Sequence, residues 1–407
     1  MGSDAAIPTS EYVSRRKKVL RALKDGVGVV FAGEGAPPLV GHWTPDQNFH
    51  YITGITNEPG AIVLFDPRAE DPRRRCILFL RPLNPEAEAW DGYRDPIGSR
   101  LRARYGFETV MRTGILPLVL QRIIAARRRL VCLHPFAAHT RAVSPDLALF
   151  RKIVERAVGA TIDEQVRLLP TMRSVKSPAE LKLMARAVRA TASGFDAALR
   201  AIRPGVNERE IQRVIEDGFV RDGASGPAYN SIVGSGVNGT VLHYNANDGT
   251  AKDGELMVID AGAQFGGYAA DITRTFPVSG RFTKEHKELY TLVLRAQKAS
   301  IAAVRPGAKM VDVNEATRRI FEKAGLADAY LHGIGHHLGL EVHDADPAGE
   351  LRPGNVVTVE PGLYFKDRAI GIRIEDDILV TRDGRRNLSS RIPKSIADIE
   401  SAMRTRQ

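Results

Sequence analysis

Four acidic residues and one histidine, Asp260, Asp271, Glu360, Glu375 and His336, interrupt segments that otherwise read as apolar strands or glycine-rich turns. These segments are 256-LMVIDAG, 268-YAADITRTF, 332-HGIGHHLGLEVHD, 355-NVVTVEPGLY and 371-GIRIEDDI. A carboxylate inside an apolar strand is rarely buried unless it is paired or bound to a cation. Each of these residues alone reads as a turn former or an edge-strand charge, but the set reads as one cage. Gathering four carboxylates without counter-ions raises their pKa values and costs several kcal/mol. Two divalent ions about 3.5–4 Å apart would neutralise them and form a two-metal centre. A chain carrying this set must fold so that distant strands deliver their polar residues to one point.

The local patterns say how. Asp260 closes the strand LMVID, and Asp271 opens the next strand after a turn at Gly266–Gly267, so a hairpin brings both carboxylates to one end. Glu360 and Glu375 each sit in an apolar run. Oxygen donors favour Mn²⁺, Mg²⁺ or Co²⁺ over a thiolate-type zinc site, and one imidazole adds borderline character. His332 and His336 are four residues apart, but Gly333, Gly335 and Gly339 argue against the helix an H-E-x-x-H site requires. His336 is assigned to the metal. His332 and His343 become candidates for substrate contact or proton transfer, and His337 is assigned to structure. His243, in VLHYNAND, is placed to donate to an oxyanion or a leaving nitrogen. Gly234, Gly236 and Gly239 match a dinucleotide-binding G-x-G-x-x-G. The fingerprint needs a helix to follow, whereas TVLHYNAND reads as strand and turn, which excludes it.

The 407 residues are long for a single core, so two domains are expected. Residues 1–165 alternate helix-like and strand-like segments, an α/β pattern. They include a basic helix over 10–24, the strand 27-VGVVFAG, two strands within 47-QNFHYITGITNEPGAIVLFDP, the strand CILFL, and helices over 117–127 and 145–158 around 130-LVCLHPF. Residues 166–407 form the second domain. Ser177, Pro178 and Glu180 make a strong helix start. Helices are expected to about Ile202 and over 207–222, 283–304 and 310–325, with strands over 227–275 and 331–381, an α+β order. No apolar run is long enough to span a bilayer, and the opening residues lack the apolar stretch of a secretory signal, so a cytoplasmic protein is expected. Cys76 and Cys132 read as free thiols in a reducing compartment. The net charge of +10 is spread over solvated clusters without interleaved aromatic residues, so no nucleic-acid partner is expected.

Taken together, IDAG, DITRTF, GHHLGLEVHD, VEPGLY and RIEDD resemble the proline-directed branch of the pita-bread metallopeptidases, aminopeptidase P and Xaa-Pro dipeptidase (prolidase). QNFHYITGI and Trp90-Asp-Gly92 resemble the creatinase-type N-terminal domain of the same proteins, so nearly the whole chain is covered. The resemblance implies a creatinase-like α/β domain over 1–165 and an α+β pita-bread catalytic domain over 166–407. It makes Asp260, Asp271, His336, Glu360 and Glu375 the ligands of two divalent ions, with Mn²⁺ expected and Co²⁺ or Zn²⁺ as alternatives. Asp271 and Glu375 would bridge both ions. A bridging hydroxide would attack the scissile carbonyl, with Glu360 accepting the proton and His243 and His343 stabilising the intermediate. His332, Arg373 and Tyr364 would frame the prolyl ring, and Tyr229 would touch the substrate's N-terminal side. Proline-containing dipeptides or short peptides would be the substrates, and a homodimer or tetramer the assembly. Creatinase shares the architecture without the metal ligands, and methionine aminopeptidase usually lacks the N-terminal domain. Two segments are shorter than in aminopeptidase P: AGLADAYLHG before His332, and FKDRAI between Tyr364 and Gly371. This shortening tilts the reading toward a dipeptidase, with aminopeptidase P as the alternative. A catalytically inactive pita-bread binding protein is the alternative from another class.

Overall fold

The computed structural model describes residues 6–34, 43–137 and 139–404. The chain divides into two compact units, with the break after Arg173. It falls beyond the expected junction at 165 because the short helix Leu168–Ser174 is tied back to the first unit. Tyr51 Oη donates to the Met172 carbonyl at 3.0 Å, and Arg173 donates to Asn48 Oδ1 at 2.9 Å.

The first unit is built on one six-stranded sheet: Val27–Phe31 (β1), Ile62–Phe65 (β2), Cys76–Leu80 (β3), Thr109–Arg112 (β4), Arg129–Cys132 (β5) and Thr161–Glu164 (β6). Their order is β4-β3-β2-β1-β5-β6, with β1–β2 and β2–β3 antiparallel and the other pairs parallel. The helices Leu116–Arg127 and Pro145–Val154 supply apolar residues to the sheet's core, among them Leu120, Ile124 and Phe150. One expected strand is a helix. Gln47–Thr53 is capped by Asp46, whose carboxylate accepts from Asn48 N and Phe49 N, and it ends at Gly54 in the left-handed conformation. Six of its seven residues are buried, so no polar face marks the helical period and the segment reads as a strand.

The second unit opens with the helix Pro178–Ala201 (α1), where Ser177 and Glu180 form the expected capping box. Glu208–Arg221 (α2), capped by Asn207, packs against it. Two further helices, Lys284–Ala303 (α3) and Met310–Lys323 (α4), also pack as a pair. Between the pairs lie short antiparallel sheets. Leu256–Asp260 (β7) is flanked by Ile232–Ser235 and by Thr273–Pro277 (β8), with Asp260 opposite Thr273. Val356–Val359 (β9) pairs with Asp376–Thr381 (β12), and Gly362–Phe365 (β10) pairs with Ile370–Arg373 (β11). This is the mixed α/β, two-domain architecture the sequence implies.

Two strand readings in this unit fail. TVLHYNAND is not a strand: the chain makes a 3-10 turn over Gly236–Thr240 and continues as loop, so the dinucleotide reading still lacks its helix. Residues 331–355 contain no regular strand either. They nevertheless lie along β9 in a ladder of backbone bonds, Glu360 N to Ile334 O, Thr358 N to His336 O and Leu338 N to Val356 O, at 2.9–3.0 Å. Gly335 breaks the strand with φ +146°, and a Cβ there would stand 2.3 Å from the Thr358 carbonyl oxygen.

Candidate metal centre

The ends of these strands converge on a cavity of about 620 Å³. Its wall contains Tyr229, His243, Asp260, Asp271, His332, His336, His343, Glu360, Arg373 and Glu375, ten of the eleven expected site residues, together with Gly333 and Gly335. Tyr364, the remaining expected residue, lies behind His332 and Arg373. The β7–β8 pairing delivers Asp260 and Asp271, the end of β9 delivers Glu360, and the step from β11 to β12 delivers Glu375.

Donor atoms of Asp271, His336 and Glu375 all lie within 4.8 Å of one another. His336 Nε2 is 3.5 Å from Asp271 Oδ2 and 3.6 Å from Glu360 Oε1. Its Nδ1 lies 3.1 Å from the His337 carbonyl, which fixes a tautomer with the Nε2 lone pair aimed at the carboxylates. Burial lowers the His336 pKa to about 4, so the ring is a neutral ligand at ordinary pH. Burial, and then the neighbouring carboxylates, push Asp271 and Glu375 well above the usual range. Glu360 is raised to about 7, burial outweighing the Arg373 guanidinium. Such crowding of acids is relieved by divalent cations, and the donor set of oxygens plus one imidazole nitrogen suits them.

The surrounding hydrogen bonds orient this set. Arg373 is spent entirely on it: Nη2 donates to Asp260 Oδ2 at 2.7 Å, Nη1 to Tyr364 Oη at 2.9 Å and Nε to Thr273 Oγ1 at 3.1 Å. Thr273 Oγ1 in turn donates to Glu375 Oε2 at 2.7 Å. Arg373 therefore braces Asp260 from within the cavity wall. His332 lies 2.8 Å from Tyr364 Oη through Nε2 and 2.8 Å from the Gly333 carbonyl through Nδ1. Burial lowers its pKa to about 4, so of the two expected forms the neutral one is present. Tyr229, also in the cavity wall, brings its hydroxyl to Asp260 Oδ1 at 2.5 Å and Asp271 Oδ1 at 2.6 Å. His343 stacks at 4.1 Å from His336, and both His343 and His243 are exposed at the cavity wall.

Sequence reasoning missed three supporting residues. Thr358 Oγ1 donates to Glu360 Oε1 at 3.3 Å and accepts from His336 N at 3.0 Å. Lys176 and Asp344 form a fully buried ion pair at 3.0 Å behind the loop that carries His336 and His343. Thr358 alternates with apolar neighbours in VVTVE, a pattern that marks its face but not its partner. Nothing in the sequence pairs Lys176 with Asp344.

A cluster of buried acids around a neutral imidazole, at the bottom of a cleft, defines a metal-dependent hydrolase. Comparison places it further. Residues 182–382 match Metallopeptidase family M24, and residues 12–132 match Aminopeptidase P, N-terminal domain. The Xaa-Pro aminopeptidase of Haemophilus influenzae is 35% identical, with 98% of each chain covered. The structure of Pseudomonas aeruginosa aminopeptidase PepP superposes with a TM-score of 0.87 at 33% identity over 99% of each chain. A variant of Escherichia coli aminopeptidase P in complex with substrate gives 0.87 at 30% identity, covering 98% of this chain and 99% of that one. The chain belongs to the Xaa-Pro peptidases of metallopeptidase family M24, and it is a metallopeptidase that uses divalent metal ions to cleave Xaa-Pro bonds.

Proposed function

We propose that the chain is an aminopeptidase P: it removes the N-terminal residue from peptides whose second residue is proline. The observation that carries this reading is the convergence of Asp260, Asp271, His336, Glu360 and Glu375 on one open cavity. The earlier tilt toward a dipeptidase gives way. It rested on the shortness of the two segments FKDRAI and AGLADAYLHG. FKDRAI does make a tight turn, with a 3-10 turn over Lys366–Arg368 and Ala369 in the left-handed region. The segment before His332, however, leaves Leu331 56% exposed beside a further cavity, so its brevity opens this side. The relatives named above, all aminopeptidases, support the same choice.

In this reading the five residues hold two divalent ions, Mn²⁺ by preference. When bound, the ions polarise the scissile carbonyl and lower the pKa of water to within reach of neutral pH. The protein does the rest. Tyr229 and Arg373 fix the Asp260 and Asp271 carboxylates, and Thr273 fixes Glu375. Glu360, with its carboxyl near 7, moves the proton between the attacking water and the departing proline nitrogen. His243 and His343 donate to the carbonyl oxygen as charge builds there. The His332–Tyr364 pair forms a rigid wall for the prolyl ring. Proline's tertiary amide has no N–H for a general peptidase to grip, so a shaped wall replaces that hydrogen bond. A homodimer or tetramer belongs to the same reading and rests on the resemblance alone.

Hydrolysis of Ala-Pro-Ala, Ala-Pro and Ala-Ala by the Mn²⁺-loaded enzyme tests it. Ala-Pro-Ala is expected to be cleaved at its Ala–Pro bond faster than Ala-Pro, and Ala-Ala not at all. Cleavage confined to Ala-Pro would restore the dipeptidase, and preference for Ala-Ala would remove the proline requirement.

A further inference from the structure

A second cavity of about 540 Å³ adjoins the first, and His332 and Gly333 line both. Its far wall is the helix α4, which presents Asn314 and Arg318 from successive turns, and Ala327, Asp328, Tyr330 and Leu331 complete it. The partition between the cavities is stiff. His332 is held by the Gly333 carbonyl and by Tyr364, and Tyr330 packs edge-on against its ring at 5.5 Å. Tyr330 Oη donates to Asn314 Oδ1 at 2.8 Å. That bond fixes the Asn314 amide and leaves its N–H donors for other partners.

Arg318 is held from one side only. Its Nε and Nη2 both reach the same oxygen of Glu322, at 3.2 and 2.5 Å, and no bond from Nη1 is seen among the described residues. Both partners are about half exposed, so this pair within one helix is weak and a competing anion can share the guanidinium. Two adjacent donor groups, one of them cationic, thus line a recess beside the wall assigned to the prolyl ring. Asp328 is the acidic counterpart in that wall and can accept from peptide N–H groups.

We infer that this recess receives the peptide beyond proline, and that Arg318, with Asn314, binds a carboxylate there. The inference rests on the aminopeptidase P reading and extends it to the residues that follow proline. For a peptide whose proline ring lies against His332, the second cavity, which shares His332 and Gly333 with the first, is the adjoining space for the residues that follow. The carboxylate has two possible sources, the C-terminus of a short peptide or an acidic side chain after proline.

The test compares kcat/KM for Ala-Pro-Ala, its C-terminal amide Ala-Pro-Ala-NH2 and the acidic amide Ala-Pro-Glu-NH2, in the wild type and in Arg318→Gln and Arg318→Glu. The wild type is expected to favour a carboxylate-bearing peptide over the neutral amide by about three- to ten-fold, the scale of one accessible charge-assisted hydrogen bond. Arg318→Gln removes that preference and Arg318→Glu reverses it, with the change in KM rather than kcat. Loss for Ala-Pro-Ala identifies the terminal carboxylate, and loss for Ala-Pro-Glu-NH2 identifies the side chain. Equal ratios in the wild type and both variants would overturn the inference while leaving the aminopeptidase intact. Failure of the wild type to cleave any of the three peptides would instead remove the reading beneath it. Arg318 is a surface residue of α4 whose ion pair among the described residues is with Glu322, so the variants are expected to fold.

Discussion

A single phenol proton sits between two acids at the centre of the site. Burial, and then Asp260 and Asp271, push the Tyr229 pKa well above its ordinary value, so the hydroxyl remains a donor throughout the working range. Its two acceptors are side chains that, in the proposed reading, present their other oxygens to metal. Tyr229→Phe would free both to rotate, and metal affinity is expected to fall about 10- to 100-fold, the usual cost of losing a partner that orients a ligand. Titration of the metal-free variant with Mn²⁺ by calorimetry checks this, and an unchanged affinity would return Tyr229 to the substrate-contact role that the sequence suggested. The four acids proposed as ligands were legible as residues because each is a charge at or inside an apolar strand. The roles of Tyr229 and Arg373 were not legible, because a tyrosine in a loop and an arginine in a strand look alike whether they face a substrate or a carboxylate. Only their distances to Asp260 separate the two cases.

Among the elements, those with strong local signals are where the sequence placed them. Ser177 and Glu180 announce α1, Asn207 announces α2, and LMVID is a buried strand in both readings. Gln47–Thr53 and residues 331–355 went astray because burial on all sides erases the helical period and because glycines let a chain follow a strand without becoming one. The second case has a mechanical answer. The loop bearing His336 and His343 is held by the Lys176–Asp344 pair, both side chains 1% exposed, and by the Asp344 N to His337 O bond at 2.9 Å. A Cβ on Gly339 would stand 2.1 Å from Asp344 Oδ2, so the backbone must pass close to the pair. Lys176→Met leaves a buried carboxylate facing an apolar group, and urea unfolding is expected to show a loss of about 3–5 kcal/mol. Lys176→Met with Asp344→Leu should recover a substantial part of that loss. Strict additivity of the two single changes would mean that the pair does not act as a clamp.

For the whole molecule, each unit has its own apolar core, and the second carries an electrostatic burden that the first does not. Without metal, Glu360 favours its protonated form up to about 7. As pH rises from the ordinary carboxylate range toward 7, the unfolded chain releases this proton before the folded one does. This group alone therefore costs the metal-free fold on the order of 3 kcal/mol across that window. Metal binding demands the deprotonated form and removes the penalty, while His336 is already neutral above about 4 and adds no opposing proton. The melting-temperature difference between Mn²⁺-loaded and chelator-treated protein is accordingly expected to widen from pH 5.5 to pH 8. A difference independent of pH would mean that the acids are ionised without metal. The bond between Arg373 and Asp260 has a consequence of another kind. A lineage drifting from catalysis toward mere binding would have to discard Asp260, and that step would strand a guanidinium buried among three hydrogen bonds of which one is gone. Decay of the enzyme would thus be penalised in the fold before it was noticed in the chemistry, so the loss of one acid must be accompanied by the loss of the arginine. In an inherited record of this chain, the two positions should change together or not at all.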